Sequence, residues 1–312
     1  MHDILYLSLP VCDINVVLSE PLPLFAGRTN RAYGISIVPG GGANTLFMAS
    51  RMGLDIVAMG VVGADAFGRI IIEGYQREGV DTGGIECLDG YTTLGVVVLN
   101  DPQGNHGFAS MLDGRFVQTI NTDALLAETR VVCLSGYMFA VKETQEKTLA
   151  FMRKAKALHK TVFFDPGPLA IEPELVPSIL ALTDVLVLTG AEAAQLAGGL
   201  KTEDAAKDLA ERLQGMVVVK AGERGCYIFS DGTGRWYPGF EVTVLDTTGA
   251  GDVFIAAFMR GYIDGWDIES SAALANAAGA ATAAKQGTGH SVATVDEVLR
   301  VLAGAGHSIP PL

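Results

Sequence analysis

The chain reads as an α/β protein with a mostly parallel central sheet, helices on both of its faces and a small antiparallel β lid. Three features predict this. Short β-branched or apolar runs alternate with amphipathic stretches, the pattern of repeated strand–helix–strand units. Apolar residues make up 49% of the 312 and charged residues only 18%, which suits a sizeable core. Two stretches break the rhythm with a period of two in place of helical spacing.

In chain order, Met1 to Pro10 reads as a first strand. Val11 to Val38 has Pro21, Pro23 and no helical period. Tyr91 to Met111 alternates around Gly95 to Leu99 and turns at Asp101 to Gly104. These two segments read as antiparallel strands that pair with each other as a lid over about residues 11–38 and 91–111. In the second half, Val131 to Ser135, Thr161 to Asp165, Asp184 to Leu188 and Met216 to Lys220 read as buried strands. Glu143 to Leu158, Ala191 to Leu196 and Glu203 to Leu213 are the intervening helices, and right-handed crossovers stack the strands side by side. The Ala- and Gly-rich stretches Gly251 to Tyr262 and Ser271 to Ala284 predict two helices packed closely together beside the sheet edge. No linker, repeat or low-complexity tract divides the chain, so 1–312 reads as a single domain.

Composition excludes several classes. A formal net charge of −13 repels polyanions, and no basic cluster offsets it, which argues against nucleic-acid binding. The longest small apolar run, Ser271 to Ala284, is too short to span a membrane, and Asp3 lies where a secretory leader carries positive charge. Cys12, Cys87, Cys133 and Cys226 are widely spaced with no C-x-x-C pair, so neither a disulfide framework nor a zinc site is expected, and the reducing cytoplasm is the expected compartment. There is no Gly-Lys dipeptide for a Walker loop, no H-R-D or D-F-G, no H-E-x-x-H and no G-x-S-x-G. The five histidines lie apart and read as surface or packing residues, except that His290 stands near a late glycine turn where it could line a ligand site.

The most informative stretch is Val244-Leu245-Asp246-Thr247-Thr248-Gly249-Ala250-Gly251-Asp252-Val253-Phe254, a loop of small residues leading into a helix. The first amides of a helix lack intrahelical partners and carry about half a positive charge, so Gly249, Ala250 and Gly251 form a site for an anion such as a phosphoryl group. Asp252, in the first turn, is placed to accept a proton from an alcohol as its oxygen attacks phosphorus. Taken alone, these residues also fit a tight turn with a carboxylate that complements the helix dipole. A second loop, Pro39-Gly40-Gly41-Gly42-Ala43-Asn44, runs into the helical stretch Thr45 to Met52. Its glycines permit close approach of a polar ligand and Asn44 offers donors and acceptors to hydroxyls, although the same glycines also serve to turn a lid strand into a helix.

Together these residues resemble the PfkB (ribokinase-like) family of carbohydrate and nucleoside kinases. Gly40 to Asn44 with Thr45 to Gly53 looks like the N-terminal signature, and Asp246 to Asp252 with Ala256, Ala257 and Phe258 looks like the C-terminal one. Val62-Gly63-Ala64-Asp65-Ala66-Phe67-Gly68, Lys220-Ala221-Gly222-Glu223-Arg224-Gly225 and Lys285-Gln286-Gly287 resemble further family turns, so the likeness spans essentially the whole chain. It implies a ribokinase-like three-layer sandwich and an ATP-dependent phosphotransferase acting on an alcohol. By this resemblance Asp252 is the catalytic base and Gly249, Ala250 and Gly251 the anion hole. Asp13, Asn15, Gly41, Gly42 and Asn44 line the sugar site, although Asp13 alone could equally be a strand-end turn residue. Lys220, Gly222, Gly225 and Asn276 lie on the nucleotide side, although Lys220 could equally be a solvated strand-end charge.

Phosphoryl transfer requires Mg²⁺ with ATP. The family's N-x-x-E motif, which reaches that ion through water, aligns with Thr189-Gly190-Ala191-Glu192, with Thr189 in place of the Asn. Asp246, the carbonyls of Thr248 and Gly287, and Ser291 match positions that hold K⁺ in many relatives. His106 to Ser110, near the second lid strand, offers no Arg or Lys for an acidic or phosphorylated sugar, so a neutral sugar or nucleoside is the expected partner. The free edges of the lid predict a homodimer. The alternative to a kinase is a catalytically inactive sugar-binding or regulatory relative, against which the retained Asp252 argues. A dinucleotide-dependent oxidoreductase lacks its G-x-G-x-x-G after the first strand.

Overall fold

The structure is a computed structural model that describes the chain apart from residues 25, 26, 28, 104, 105, 112 and 168–170. In chain order the elements are β1 (His2–Leu7), β2 (Val11–Leu18), β3 (Ala32–Gly40), α1 (Ala43–Arg51), β4 (Ile56–Gly63), α2 (Ala66–Arg77), β5 (Asp81–Leu88), β6 (Leu94–Asn100) and β7 (His106–Ser110). They continue with α3 (Thr122–Ala127), β8 (Thr129–Ser135), α4 (Lys142–Ala157), β9 (Thr161–Asp165), α5 (Val176–Leu180), β10 (Val185–Thr189), α6 (Gly190–Leu196), α7 (Thr202–Leu213) and β11 (Met216–Lys220). The chain ends with β12 (Cys226–Ser230), β13 (Thr233–Tyr237), α8 (Ala250–Ile263), α9 (Ile268–Ala283) and α10 (Val295–Gly304). The strands and helices expected in the second half are all present, with ends displaced by up to three residues. Gly104, the end of the expected turn at Asp101 to Gly104, lies outside the described residues.

Nine strands form the main sheet in the order β13-β12-β11-β10-β9-β8-β1-β4-β5. From β5 to β11 the pairs are parallel, and β12 and β13 add an antiparallel edge. Successive side chains point to opposite faces, and because both faces are covered the strands are apolar throughout. Ile4, Tyr6, Cys133, Phe163, Val187 and Val218 pack beneath α1, α2, α8, α9 and α10. Leu5, Leu7, Val132, Leu134, Phe164 and Leu186 pack on the other face beneath α3 to α7. This is the three-layer sandwich that the resemblance implies. The two Ala- and Gly-rich helices, α8 and α9, pack together on one face of the sheet, and α9 reaches the edge strand β13. They lie across the face, since their small side chains allow a flat, close pair: a Cβ at Gly261 would meet the Ser271 hydroxyl of α9 at 2.4 Å.

A second sheet has the order β3-β2-β6-β7. Its outer pairs are antiparallel, but the central pair β2–β6 runs parallel, from Val11 opposite Leu94 to Val17 opposite Asn100. The connectivity is the reason. β2 follows β1 and β6 follows β5, two parallel strands of the main sheet, so both enter the small sheet in the same direction.

Among the described residues no helix is long and apolar enough to cross a membrane. All four cysteines are free, with Cys12, Cys133 and Cys226 buried and Cys87 exposed.

Candidate active site

From β1 the chain runs to β4 and β5 on one side and to β8, β9, β10 and β11 on the other, so strand order reverses between β1 and β8. The crevice outside the carboxyl ends at such a reversal is where open α/β sheets bind ligands. Asn44, Asp252, Lys220 and Asp13 come together there.

Gly249 caps α8 in the left-handed region with φ of +79°, which starts the helix at Ala250 and sets Asp252 in its first turn. Asn44, from the start of α1, donates from Nδ2 to Asp252 Oδ2 at 2.8 Å and accepts from the Gly289 amide at Oδ1 at 2.8 Å. Its buried amide therefore holds the carboxylate from one side, and a Cβ at Gly249 would crowd it at 3.0 Å. The Ala250 amide donates back to the Thr247 carbonyl at 3.2 Å. Of the two predicted amides within the helix, that of Ala250 is thus taken, and that of Gly251 lies in the first turn, where helices leave N–H groups without intrahelical partners. A Cβ at Gly251 would lie 3.3 Å from Lys220 Nζ, so the glycine lets the ammonium come up beside the helix start. Lys220 is no solvated charge. Its side chain is 12% exposed and pairs with Asp165 Oδ2 at 3.2 Å across the ends of β11 and β9.

The electrostatics are unusual for carboxylates. Desolvation pushes Asp252 up to about 6; the Asn44 hydrogen bond opposes this, the charge of Asp165 adds to it and Lys220 again opposes. Asp13, in the root of β2, is buried and raised to about 7 by desolvation and by the charge of Asp252, against the Thr288 hydroxyl. Burial works against the Lys220 ammonium, yet Asp165, Glu192 and Asp252 outweigh it and hold the lysine above its ordinary value.

The glycine loop before α1 is filled by the protein itself. A Cβ at Gly40 would fall 2.0 Å from the Asp13 carboxylate, one at Gly42 2.5 Å from the Tyr6 ring, and one at Gly41, whose φ is +53°, 3.1 Å from Val11. Asn15 lies two residues beyond Asp13 on the same face of the small sheet. The four residues expected around a monovalent cation are also brought together. Asp246 Oδ1 accepts from the Thr248 amide at 2.9 Å and Oδ2 from the Gly287 amide at 3.0 Å, while a Cβ at Gly287 would lie 3.3 Å from Ser291 Oγ.

Residues 9–295 match the pfkB family carbohydrate kinase. The chain belongs to this family. The kinase is 28% identical to the ATP-dependent ribose-1-phosphate kinase of Halopiger xanaduensis, over 84% of this chain and 86% of that protein. It is 25% identical to the ribokinase of Haemophilus influenzae, over 92% and 94%. Its fold matches the solved structure of Arabidopsis thaliana ribokinase complexed with ribose and ATP with a TM-score of 0.82, 23% identity and coverage of 96% and 98%. The ribokinase of Thermotoga maritima gives 0.83, 24%, 97% and 100%. The protein is thus an ATP-dependent carbohydrate kinase with a ribokinase-like fold.

Other predicted positions in this kinase have local duties. Thr189 and Glu192 form a capping box on α6: Glu192 Oε2 accepts from the Thr189 amide at 2.6 Å and Thr189 Oγ1 accepts from the Glu192 amide at 3.3 Å. Asn276 donates to the carbonyls of Tyr237 and Pro238 at 3.3 and 3.0 Å, which ties α9 to the end of β13. Gly225, with φ of +88°, lies against the same segment, and Gly222, with φ of +58°, opens the short 3-10 turn after β11. His290 does not turn toward the crevice; its ring stacks on Phe47 at 4.9 Å and Nδ1 lies 2.6 Å from Glu78 Oε1.

Two further residues stand at the crevice. Asp165 ends β9 and pairs with Lys220; before Pro166 and Gly167 it carries only the signal of a strand-end turn. Tyr137 lies in the Gly136–Phe139 turn after β8, where the charges of Asp252, Asp165, Asp13 and Glu192 add to desolvation and raise its phenol to about 12.

Proposed function

We propose that this kinase moves the γ-phosphoryl group of ATP to a hydroxyl of a neutral sugar or nucleoside, with Asp252 as the base. The observation that carries the reading is Asp252 itself: a carboxylate in the first turn of α8, oriented by Asn44 and flanked by the Lys220 ammonium. An alcohol is a poor nucleophile, and a base at this place takes its proton as the oxygen approaches phosphorus. A pKa near 6 keeps Asp252 ionised at neutral pH yet more basic than an ordinary carboxylate. The Gly251 amide and Lys220 then face the charge on the transferring group, as Gly249 and Ala250 shape the turn that presents them.

ATP supplies the phosphoryl group, and Mg²⁺ would supply positive charge to offset that of its phosphates. The oxygen donors at the crevice suit a hard cation: Glu192 Oε2 is taken by the Thr189 amide, which leaves Oε1 to hold an Mg²⁺-bound water. Lys220, Gly222, Gly225 and Asn276 form the nucleotide side, the last by bracing the segment behind Gly225. Asp246, the Thr248 and Gly287 carbonyls and Ser291 would hold K⁺; the Asp246 carboxylate, bonded to both loops, supports this reading.

Asp13, Asn15, Gly41, Gly42 and Asn44 form the sugar side, with Asp13 accepting sugar hydroxyls and Asn44 orienting the base. Two neighbouring carboxylates, Asp13 and Asp252, oppose an anionic sugar, which favours a neutral one. The chain works as one domain in the cytoplasm, with the small sheet as a lid that excludes water from the transfer. On β3 of the lid, an edge strand, Ile35 and Ile37 are exposed on one face beside Ile14 and Val16 of β2, and a second copy of the chain would cover this row. Sedimentation at micromolar concentration should give a dimer, and Ile35→Asp a monomer; a wild-type monomer removes the dimer reading.

The deciding experiment is ATP-to-ADP turnover with Mg²⁺ and K⁺ across ribose, fructose, other free sugars, nucleosides and phosphorylated sugars, beside Asp252→Asn. Turnover with one neutral compound, lost in the variant, is the expected result. Strong turnover on a phosphorylated sugar would overturn the substrate class, and an active Asp252→Asn would overturn the base.

A further inference from the structure

Arg51, the last residue of α1, uses every donor it has. Nε and Nη2 grip both oxygens of Glu78 at 2.8 Å each, Nη2 also donates to the His290 carbonyl at 3.1 Å, and Nη1 donates to the carbonyls of Val292 and Ala293 at 2.8 and 3.2 Å. Those are the five N–H groups of a guanidinium, and three of them end on one turn. The same Glu78 carboxylate meets the His290 ring. This clamp holds residues 290–293 from the side of α1 and α2. Just upstream, the Gly289 amide donates to Asn44, whose other end holds Asp252. At Gly289 a Cβ would come within 2.9 Å of the Pro39 carbonyl, so the turn is pressed against the glycine loop and has little room to shift unless the clamp lets go.

We infer that Arg51 is a positioning residue for phosphoryl transfer: by fixing the 289–293 turn it keeps the Gly289 amide on Asn44, and through Asn44 it keeps the Asp252 carboxylate aimed. The inference rests on Asp252 being the base. Arg51 touches no group of the crevice itself, and its action runs wholly through the turn and one side-chain amide. A lysine cannot replace it, since a point ammonium with three donors cannot grip a carboxylate bidentately and three carbonyls at once.

Arg51→Lys tests this, with Asn44→Ala and the double variant beside it. Arg51→Lys is expected to lower kcat/KM about tenfold, the equivalent of one well-placed hydrogen bond. It should also move the acid limb of the pH profile upward, because the Asn44 bond holds the Asp252 pKa down while Asp13, Asp165 and Lys220, the charged groups facing that carboxylate, stay unchanged. In the double variant Arg51→Lys should add nothing to the loss caused by Asn44→Ala, as expected of two residues in one chain of contacts. If Arg51→Lys only lowers the melting temperature, with the rate and acid limb of the folded enzyme unmoved, or if the two losses multiply, the inference fails. Should Arg51→Lys not fold, Glu78→Gln loosens the same clamp and carries the same comparison. Asp252→Asn separates the two readings. If it stays active, the base assignment falls; if it is inactive while Arg51→Lys is indifferent, only the clamp falls.

Discussion

The chain has two glycine loops that each run into a helix, and they do opposite things. In the loop before α1, the space left by the missing side chains is taken by the protein: Asp13 fills the place beside Gly40 and the Tyr6 ring the place beside Gly42. In the loop before α8, Gly251 brings the Lys220 ammonium to the helix start, and the helix carries its own carboxylate one residue on. The first loop builds a wall by letting a carboxylate in. The second brings a single cation, the Lys220 ammonium, up to a helix start, where an anion would meet both. Glycines before a helix therefore do not have one meaning, and what occupies the missing Cβ decides between them.

The largest expected effect strikes the second loop: Asp252→Asn should lower kcat by about 10²-fold or more, as loss of a general base does, with sugar binding retained by calorimetry. A residual rate within a few-fold of wild type would erase the contrast. Gly40→Ala tests the first loop. Its Cβ cannot coexist with Asp13, so the sugar KM should rise about tenfold with the ATP KM unchanged, whereas a shift in both would mean that the loops act together.

The pH dependence sharpens the comparison further. Both carboxylates must be ionised, so kcat/KM should be full only above about pH 8 and fall as pH drops through the values near 7 and 6 of Asp13 and Asp252. An acid limb near pH 4 would show that neither carboxylate is raised. The smallest effect is on stability. A carboxyl whose folded pKa is raised binds a proton that the unfolded chain has already released, so stability falls as pH rises from about 4 to 6. Asp252→Asn escapes that fall and should melt about 2–4 °C higher than wild type at pH 8, with the difference vanishing near pH 4. Equal melting at both pH values would remove the electrostatic account.

Much of this was legible from residues alone. The alternation of apolar runs and amphipathic stretches marks the strands and helices of the main sheet, and the break in that rhythm marks the small one, because periodicity is a local property. Pairing direction is not local, so the parallel β2–β6 junction came only with the connectivity. Asp165 shows the same limit: a strand-end Asp before Pro-Gly looks like a turn until Lys220 arrives from a strand 55 residues later. Thr189 and Glu192 show a limit of another kind. Their spacing satisfies both a metal motif and a helix cap, and the structure shows both cap bonds formed. His290, next to Ser291 in sequence and in the same 3-10 turn, stacks on Phe47 and meets Glu78, partners from α1 and the end of α2 that adjacency does not encode.

The small sheet is built from two inserted segments, β2–β3 between β1 and α1 and β6–β7 between β5 and α3, and it carries Asp13 and Asn15, while Asp252, Lys220 and Asp165 stand on the main sheet and α8. On the proposed assignment, the part that chooses the acceptor and the part that transfers the phosphoryl group are separable in descent. Substitution, lengthening or recombination within two hairpin-like segments would give a lineage a new sugar to phosphorylate, with the transfer apparatus inherited intact.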